Sequence, residues 1–398
     1  MSSHHVHHPT PEVFNQKHAG LAPLALIGTS AVGIIISVLG ALHNREQFAY
    51  SWLFAFIYFF TISVGCLFWT MVHHATDAEW SVVVRRLMEN VACLIPFVAL
   101  AFIPLYFNAP TLWKWWSIPV GVDEALDGKR AFLNHSFFTF RFMFYFVALS
   151  GLAYLFLSNS TQQDKTSHPK HTITMRRLSF FGIPVFAVSL TFGAFDWLMG
   201  LDYKWFSTMW GVYIFAGAAG SAMSLTVLIL TWLRGKGYYK HSITHEHYHI
   251  MGKLMLAFSI FWAYIGFSQY MLIWYANVPE ETSYFIRRNI GTWNILSTCL
   301  VIGRFFVPFL CLLFQYSKKR PTLLCVIAGW ILCMQMLDMY IIVMPMLHKT
   351  GVSPSITDIG AILAIGGLWA FVFIKRLSKH SLIPVGDPRI DLCLKLSN

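Results

Sequence analysis

Between His241 and His249 the chain reads HSITHEHYH. Its last five residues fit H-E-x-x-H, the pattern that sets two zinc-binding histidines one helical turn apart beside a glutamate base. A second group is scattered. Arg141, Asp196, Arg304 and Asp338 lie inside long apolar runs, and so does the amide of Gln269. Ionisable groups in such surroundings are costly and are functional candidates by default. A carboxylate facing a cavity takes protons from a bound substrate, with its affinity set by burial and by nearby arginine. A third set comprises His73, His74, Asp77 and Glu79, followed by Arg85, Arg86 and Glu89. Histidines and carboxylates of this kind relay protons near neutral pH.

The elements that must position these groups are membrane helices. The 398 residues are 56% hydrophobic and 12% charged, against about 25% charged in a soluble domain. A spanning helix needs about 20 mostly apolar residues. Ten stretches qualify, at roughly 23–42, 50–72, 90–107, 136–157, 178–201, 205–232, 251–276, 293–314, 323–344 and 357–377. With ten spans the termini share one side. That side carries 19 of the 29 Lys and Arg residues, and the opposite loops carry 8. The bias places both termini in the cytoplasm. The net charge of +11 is then a property of cytoplasmic loops and gives no reason to expect nucleic acid. The N-terminus lacks the basic region and immediate apolar core of a signal peptide, so the first run is expected to stay as a membrane helix. The expected organisation is a cytoplasmic His-rich tail over 1–22, a ten-helix domain over 23–377 and a cytoplasmic tail over 378–398. Trp113, Trp115, Trp116, Trp205, Trp274 and Trp293 fall at the outer ends, as in an interfacial aromatic belt.

Arg141, Asp196, Gln269, Asp338 and His135 occupy one depth layer in the outer half of four spans. Two readings stand for it. Arg141 pairs with Asp196 and Arg304 with Asp338 only to cancel buried charge, or the carboxylates face a cavity and move protons. The set after the second span is either a solvated loop or the entrance of a proton route through His73, His74, Asp77 and Glu89, with Arg304 deeper. HEHYH falls in the connection between the sixth and seventh spans, where no third ligand for a catalytic zinc is evident. It is expected to be a solvated or lipid-contacting turn. None of the seven cysteines forms a C-x-x-C pair, and no histidine lies deep in a span to ligate haem. Any redox role is therefore expected to use a diffusible organic carrier and a partner that holds the metal centres.

Three stretches carry a resemblance: FSQYMLIWYANVPEETSYF (267–285), YSWLFAFIYFFTISVGCLFWTMVHHATDAEWSVVVRRLMEN (50–90) and FDWLMGLDYKWFSTMWGVYIFAGA (195–218). They resemble the NrfD, or polysulfide-reductase-like, membrane subunits, including those of bacterial alternative complex III, a quinol:cytochrome c oxidoreductase. The likeness covers nearly the whole chain except the His-rich N-terminus. It implies an all-α fold of two four-helix bundles, spans 2–5 and 6–9, flanked by spans 1 and 10. It also implies a bacterial inner-membrane complex holding a sister NrfD-like subunit, a periplasmic iron–sulfur protein and c-type cytochromes, with quinol, such as menaquinol, as substrate. Asp196 and Gln269 match positions near the family's outer-facing pocket. His73, His74 and Asp77 match the cytoplasmic side of its proton route. A non-redox proton-conducting or structural subunit and an independent secondary transporter are the competing readings.

Overall fold

The computed structural model describes residues 10–396; the histidine-rich residues 4–8 lie outside the described residues. Ten helices among the described residues are long and apolar enough to cross a membrane. Among the described residues the rest is short helices, turns and one isolated bridge between Val13 and Ser381. The chain is an all-α multi-pass membrane protein. In order the spans are α1 (Ala22–His43), α2 (Arg45–Ala75), α3 (Val82–Phe107), α4 (His135–Thr166), α5 (Lys170–Asp202), α6 (Trp210–Gly235), α7 (His245–Ala276), α8 (Thr292–Leu313), α9 (Pro321–Met346) and α10 (Ile356–Leu377).

Helices α2–α5 pack as one four-helix bundle and α6–α9 as a second, with α2 against α6 at the seam. Helix α1 runs along α10, and that pair rests on α2. Burial follows this arrangement. The apolar stretch of α2 is 89% buried and that of α6 78%, whereas that of α1 is 17% buried and faces outward.

Lipid offers no hydrophobic drive between helices, so close backbone approach must supply packing energy. At the seam a Cβ on Gly65 would stand 2.3 Å from the Ala218 carbonyl oxygen. Gly65→Val is expected to force α2 and α6 apart, a cost of about 1–3 kcal/mol or more for overpacking. A thermal-unfolding midpoint unchanged from wild type in detergent would contradict that account of the seam.

Three elements depart from the sequence expectation. Helix α3 begins at Val82, eight residues before the expected start at 90, because its first turns carry Arg85, Arg86 and Glu89, all buried. Helix α8 contains one π-turn, Ile302–Phe306. Pro308 follows; its ring excludes the carbonyl of Arg304 and its nitrogen cannot donate to it, so the ladder steps to Val307 N–H on the Ile302 carbonyl. The tryptophan belt is also largely absent. Trp113, Trp115, Trp205 and Trp293 are buried, and Trp274 is exposed. The loops at the end opposite the termini fold inward and use these rings as core: Trp113 packs on Phe102 and Phe138, and Trp205 stacks on Tyr284 at 4.3 Å.

At the terminal end the tails form a cap. Phe14 is buried against Trp232 and Tyr238. Leu382 N–H donates to the Glu12 carbonyl, and Tyr239 Oη donates to the Leu382 carbonyl. Leu382, Ile383 and Cys393 are buried, so much of residues 378–396 is packed structure.

Candidate functional site

The depth layer divides between the two bundles. In the first, Arg141 of α4 meets Asp196 of α5 through two parallel hydrogen bonds, Nε to Oδ2 at 2.9 Å and Nη2 to Oδ1 at 2.6 Å. Tyr145 Oη donates to the same carboxylate at 2.8 Å. The remaining guanidinium nitrogen donates to the Phe132 carbonyl, and the Phe132 and Phe137 rings lie 3.8 and 4.3 Å from its carbon. Arg141 and Asp196 are both buried. This is a closed pair, with the Asp196 carboxylate accepting three hydrogen bonds. His135 stands apart, exposed at the mouth of α4, stacked on Trp116 at 4.2 Å and bonded to its carbonyl.

In the second bundle the corresponding pair is open. Asp338 of α9 accepts from Tyr213 Oη of α6 at 2.7 Å and from Trp262 Nε1 of α7 at 3.0 Å. Arg304 of α8 approaches only to 3.8 Å. It donates instead to the Gln335 side-chain oxygen and, at 3.3 Å, to the Ile331 carbonyl. Asp338 forms part of the wall of a cavity of about 620 Å³ held between α6, α7, α8 and α9. Gln269 also lines it, its oxygen accepting from Ser207 at 2.7 Å.

The wall is aromatic. Tyr213, Trp262, Phe305 and Tyr284 surround the Asp338 end, and Tyr264, Phe267, Val301 and Phe306 form the flank between α7 and α8. Those four flank residues are also exposed on the outer surface of the bundle. The cavity therefore opens sideways, where lipid would lie, with Asp338 buried in its wall and Asn289 and Thr298 exposed at its edge. Asp338 lies about 12 Å inside the end of α9, at 1.5 Å per residue. The short helix Pro279–Arg288 folds over the upper end. Arg288, also in the wall, is tied to the carbonyls of Ile341, Tyr284 and Ile342.

The set at the end of α2 is a solvated turn only at Asp77 and Glu79, which are exposed. His73, His74, Arg85, Arg86 and Glu89 are all buried. Arg85 pairs with Glu89 at 2.6 Å and with Asp387 of the tail at 3.1 Å. Arg86 pairs with Glu89 at 3.2 Å and with Asp164 at 2.9 Å. Arg389 joins Asp387, Asp77 and His73. Asp77, half exposed, also pairs with Arg176. His73 bonds Ser81 at 2.6 Å, while both ring nitrogens of His74 lack a hydrogen-bond partner. The C-terminal tail supplies the charges that allow this cluster to be buried. Asp387 is the pivot: burial pushes its carboxyl up, but the Arg85 and Arg389 charges and the Arg389 hydrogen bonds outweigh this and hold it at about 2.

A depressed carboxyl stabilises the docked state above its ordinary value near 3.8 and loses that contribution as pH falls through about 2. The tail is therefore expected to stay docked down to about pH 4. Asp387→Ala is expected to release it at neutral pH, with trypsin cutting after the exposed Lys379 on the order of a hundredfold or more faster, since breaking a buried pair costs about 3–5 kcal/mol. Equal cleavage rates would show that the apolar tail residues alone hold it.

HEHYH is also placed differently from expectation. It forms the first turn of α7, not a connecting loop. Thr244 and His247 make a capping box, and His247 is buried beside Cys393 Sγ at 3.4 Å. Glu246 pairs with Lys319 and with His249, and His245 Nδ1 bonds the Lys319 carbonyl. The motif locks the start of α7 to the α8–α9 turn. Among the described residues no group of three His, Cys, Asp or Glu side chains could hold a metal ion.

Sequence reading missed Tyr213, Trp262, Gln335 and Tyr145. Tyrosine and tryptophan are common throughout the spans, so nothing in their spacing separates a carboxylate partner from packing. Neither a protein-family model nor a curated protein sequence matches the chain.

Proposed function

We propose that this chain is the quinol-binding membrane subunit of a respiratory oxidoreductase that passes electrons to partner subunits carrying iron–sulfur clusters and c-type haem. The observation that carries the reading is the cavity: an aromatic slot open toward lipid, with one buried carboxylate in its wall. A quinol is a flat, apolar ring on a lipid-soluble tail, bearing two hydroxyls. The slot's volume lies within the roughly 300–1,000 Å³ of small-molecule sites. Tyr213 and Trp262 each occupy one lone-pair site on Asp338, and an ionised carboxylate has about four. Each oxygen thus retains acceptor capacity for a quinol hydroxyl. Oxidation of one quinol releases two electrons and two protons; Asp338 takes the first proton and passes it to water, then takes the second, and both electrons leave through the partners. Gln269, with its amide nitrogen on the Ile265 carbonyl, marks the polar rim. The lysine and arginine bias supports cytoplasmic termini and an outward-facing slot.

The test is labelling of the purified membrane complex with an azidoquinone analogue. Adducts are expected on the α7 and α8 flank, near Tyr264, Phe267 and Phe306. Adducts confined to other chains would remove direct quinol binding here.

A second reading has its own observation. The unpartnered nitrogens of buried His74, beside Arg85, Asp387 and Arg389, suit a chain that conducts protons without a substrate. In that case Asp338→Asn would leave electron transfer intact while proton movement falls.

A further inference from the structure

We propose that Arg304 is a movable counter-charge for Asp338, alternating between the Asp338 carboxylate and Gln335 as Asp338 loses and gains its proton. The inference rests on the reading of the cavity as the proton-accepting site. Arg304 is then a positioning residue, since it acts through Asp338.

Ile331, Gln335 and Asp338 are spaced by four and three residues on α9, so they share one face. That face offers Arg304 three acceptors. The structure shows it bonded to the first two, with Nε 3.8 Å from the third. Its Nε is buried without a hydrogen-bond partner, and so is the Gln335 side-chain nitrogen. Buried donors left unpaired are costly, so this arrangement has a nearby competitor in which Nε reaches the carboxylate.

Two further features make movement feasible. Arg304 borders a small void of about 10 Å³, which Ser259, Gly220 and Trp262 also line. It also sits in the π-turn Ile302–Phe306, where Pro308 cannot bond its carbonyl. Such turns recur at functional sites in helices. Arg141 shows the contrast: it is bidentate, bonded to a third oxygen and held between two rings. Arg304 has the Trp262 ring at 5.0 Å, with Tyr213 and Tyr58 of α2 nearby.

The groups facing Asp338 are Tyr213 from α6, Trp262 from α7, Arg304 from α8, and Tyr284 and Arg288 from the helix above, while Tyr58 of α2 faces Arg304. Arg288 is tethered to three carbonyls. Arg304 is therefore the nearby charge with freedom to shift. When Asp338 is ionised, attraction draws Arg304 toward it. When Asp338 is protonated, Gln335 and Ile331 hold the guanidinium back.

The experiment is infrared difference spectroscopy on the full chain in lipid nanodiscs over a pH series, without quinone. The protonated-carboxyl band is assigned by its loss in Asp338→Asn. Gln335→Leu removes the alternative acceptor, so the pH midpoint of the band is expected to fall by about one unit or more, as for a carboxylate gaining a close positive charge. Gly217→Ala sets a Cβ 2.8 Å from the Gln335 oxygen and is expected to shift it in the same direction by less. Arg304→Gln is expected to raise it. If Arg304→Gln moves the midpoint while Gln335→Leu and Gly217→Ala leave it in place, Arg304 is a fixed counter-charge and the proposal fails. It fails equally if Asp338→Asn removes no band. Quinone plays no part in this measurement, so its result and the azidoquinone labelling stand or fall separately.

Discussion

With the chain acting as the proposed quinol-binding subunit, Asp338→Asn is expected to slow quinol oxidation by about 10²–10⁴-fold, the range for loss of a positioned proton acceptor. The amide keeps the shape of the carboxylate, and its oxygen still accepts a hydrogen bond. It cannot accept a proton at neutral pH. Binding should survive, because the aromatic walls formed by Trp262, Phe267 and Phe305 are untouched. The loss should therefore fall on kcat, with KM changed little, as for an interaction made only in the transition state. Stability is a separate matter. Arg304 would lose its carboxylate but keep Gln335 and Ile331, so the variant is expected to assemble. The measurement is steady-state quinol oxidation with an artificial acceptor, beside a quinone-analogue binding curve. Normal turnover with impaired proton movement would favour the proton-conducting reading. Normal turnover with normal proton movement would remove Asp338 from both.

The sequence made the depth of the polar layer legible but not its lateral arrangement. Asp196 and Asp338 look alike in sequence: each lies in the outer part of an apolar span and has an arginine on the preceding span. Hydropathy and 1.5 Å per residue place both. What distinguishes them is whether the arginine closes on the carboxylate. That depends on Tyr145, Phe132 and Phe137 around one pair, and on Gln335, the π-turn and the cavity around the other. These are relations between helices, absent from any single window of sequence. Pro308 was visible, yet it does not by itself say whether a helix kinks, breaks or inserts a residue. The start of α3 was hidden for a related reason. Arg85, Arg86 and Glu89 lower its hydropathy, and the partners that let them be buried, Asp164 and Asp387, lie about 75 and 300 residues away. The H-E-x-x-H match was legible as a pattern and misleading as chemistry, because pattern matching cannot see that Lys319 occupies Glu246.

Both bundles carry an arginine on their third helix and an aspartate on their fourth: Arg141 with Asp196, Arg304 with Asp338. The difference between them predicts opposite mutational behaviour. Asp196→Asn should act on stability. It leaves the Arg141 charge buried, with an amide able to satisfy only one of the two fork hydrogen bonds. Breaking a buried pair costs about 3–5 kcal/mol, and a membrane bundle with several spans resting on α4 and α5 should then assemble poorly or melt early. The double variant Arg141→Met with Asp196→Leu removes both charges and keeps roughly the volume. It is expected to recover most of that loss, since apolar replacement of a buried pair is often neutral or stabilising. Tyr145 would still lose its acceptor, a residual cost of about 1–3 kcal/mol for an unsatisfied buried hydroxyl. Thermal unfolding of the three proteins, with quinol turnover of whatever assembles, decides the matter. If the double variant is stable but inactive, the first pair takes part in turnover and is not merely a fastener. If it is stable and active, the functional carboxylate is the one whose arginine stands off at 3.8 Å and which lines the cavity, because Asp196 was needed only to balance Arg141.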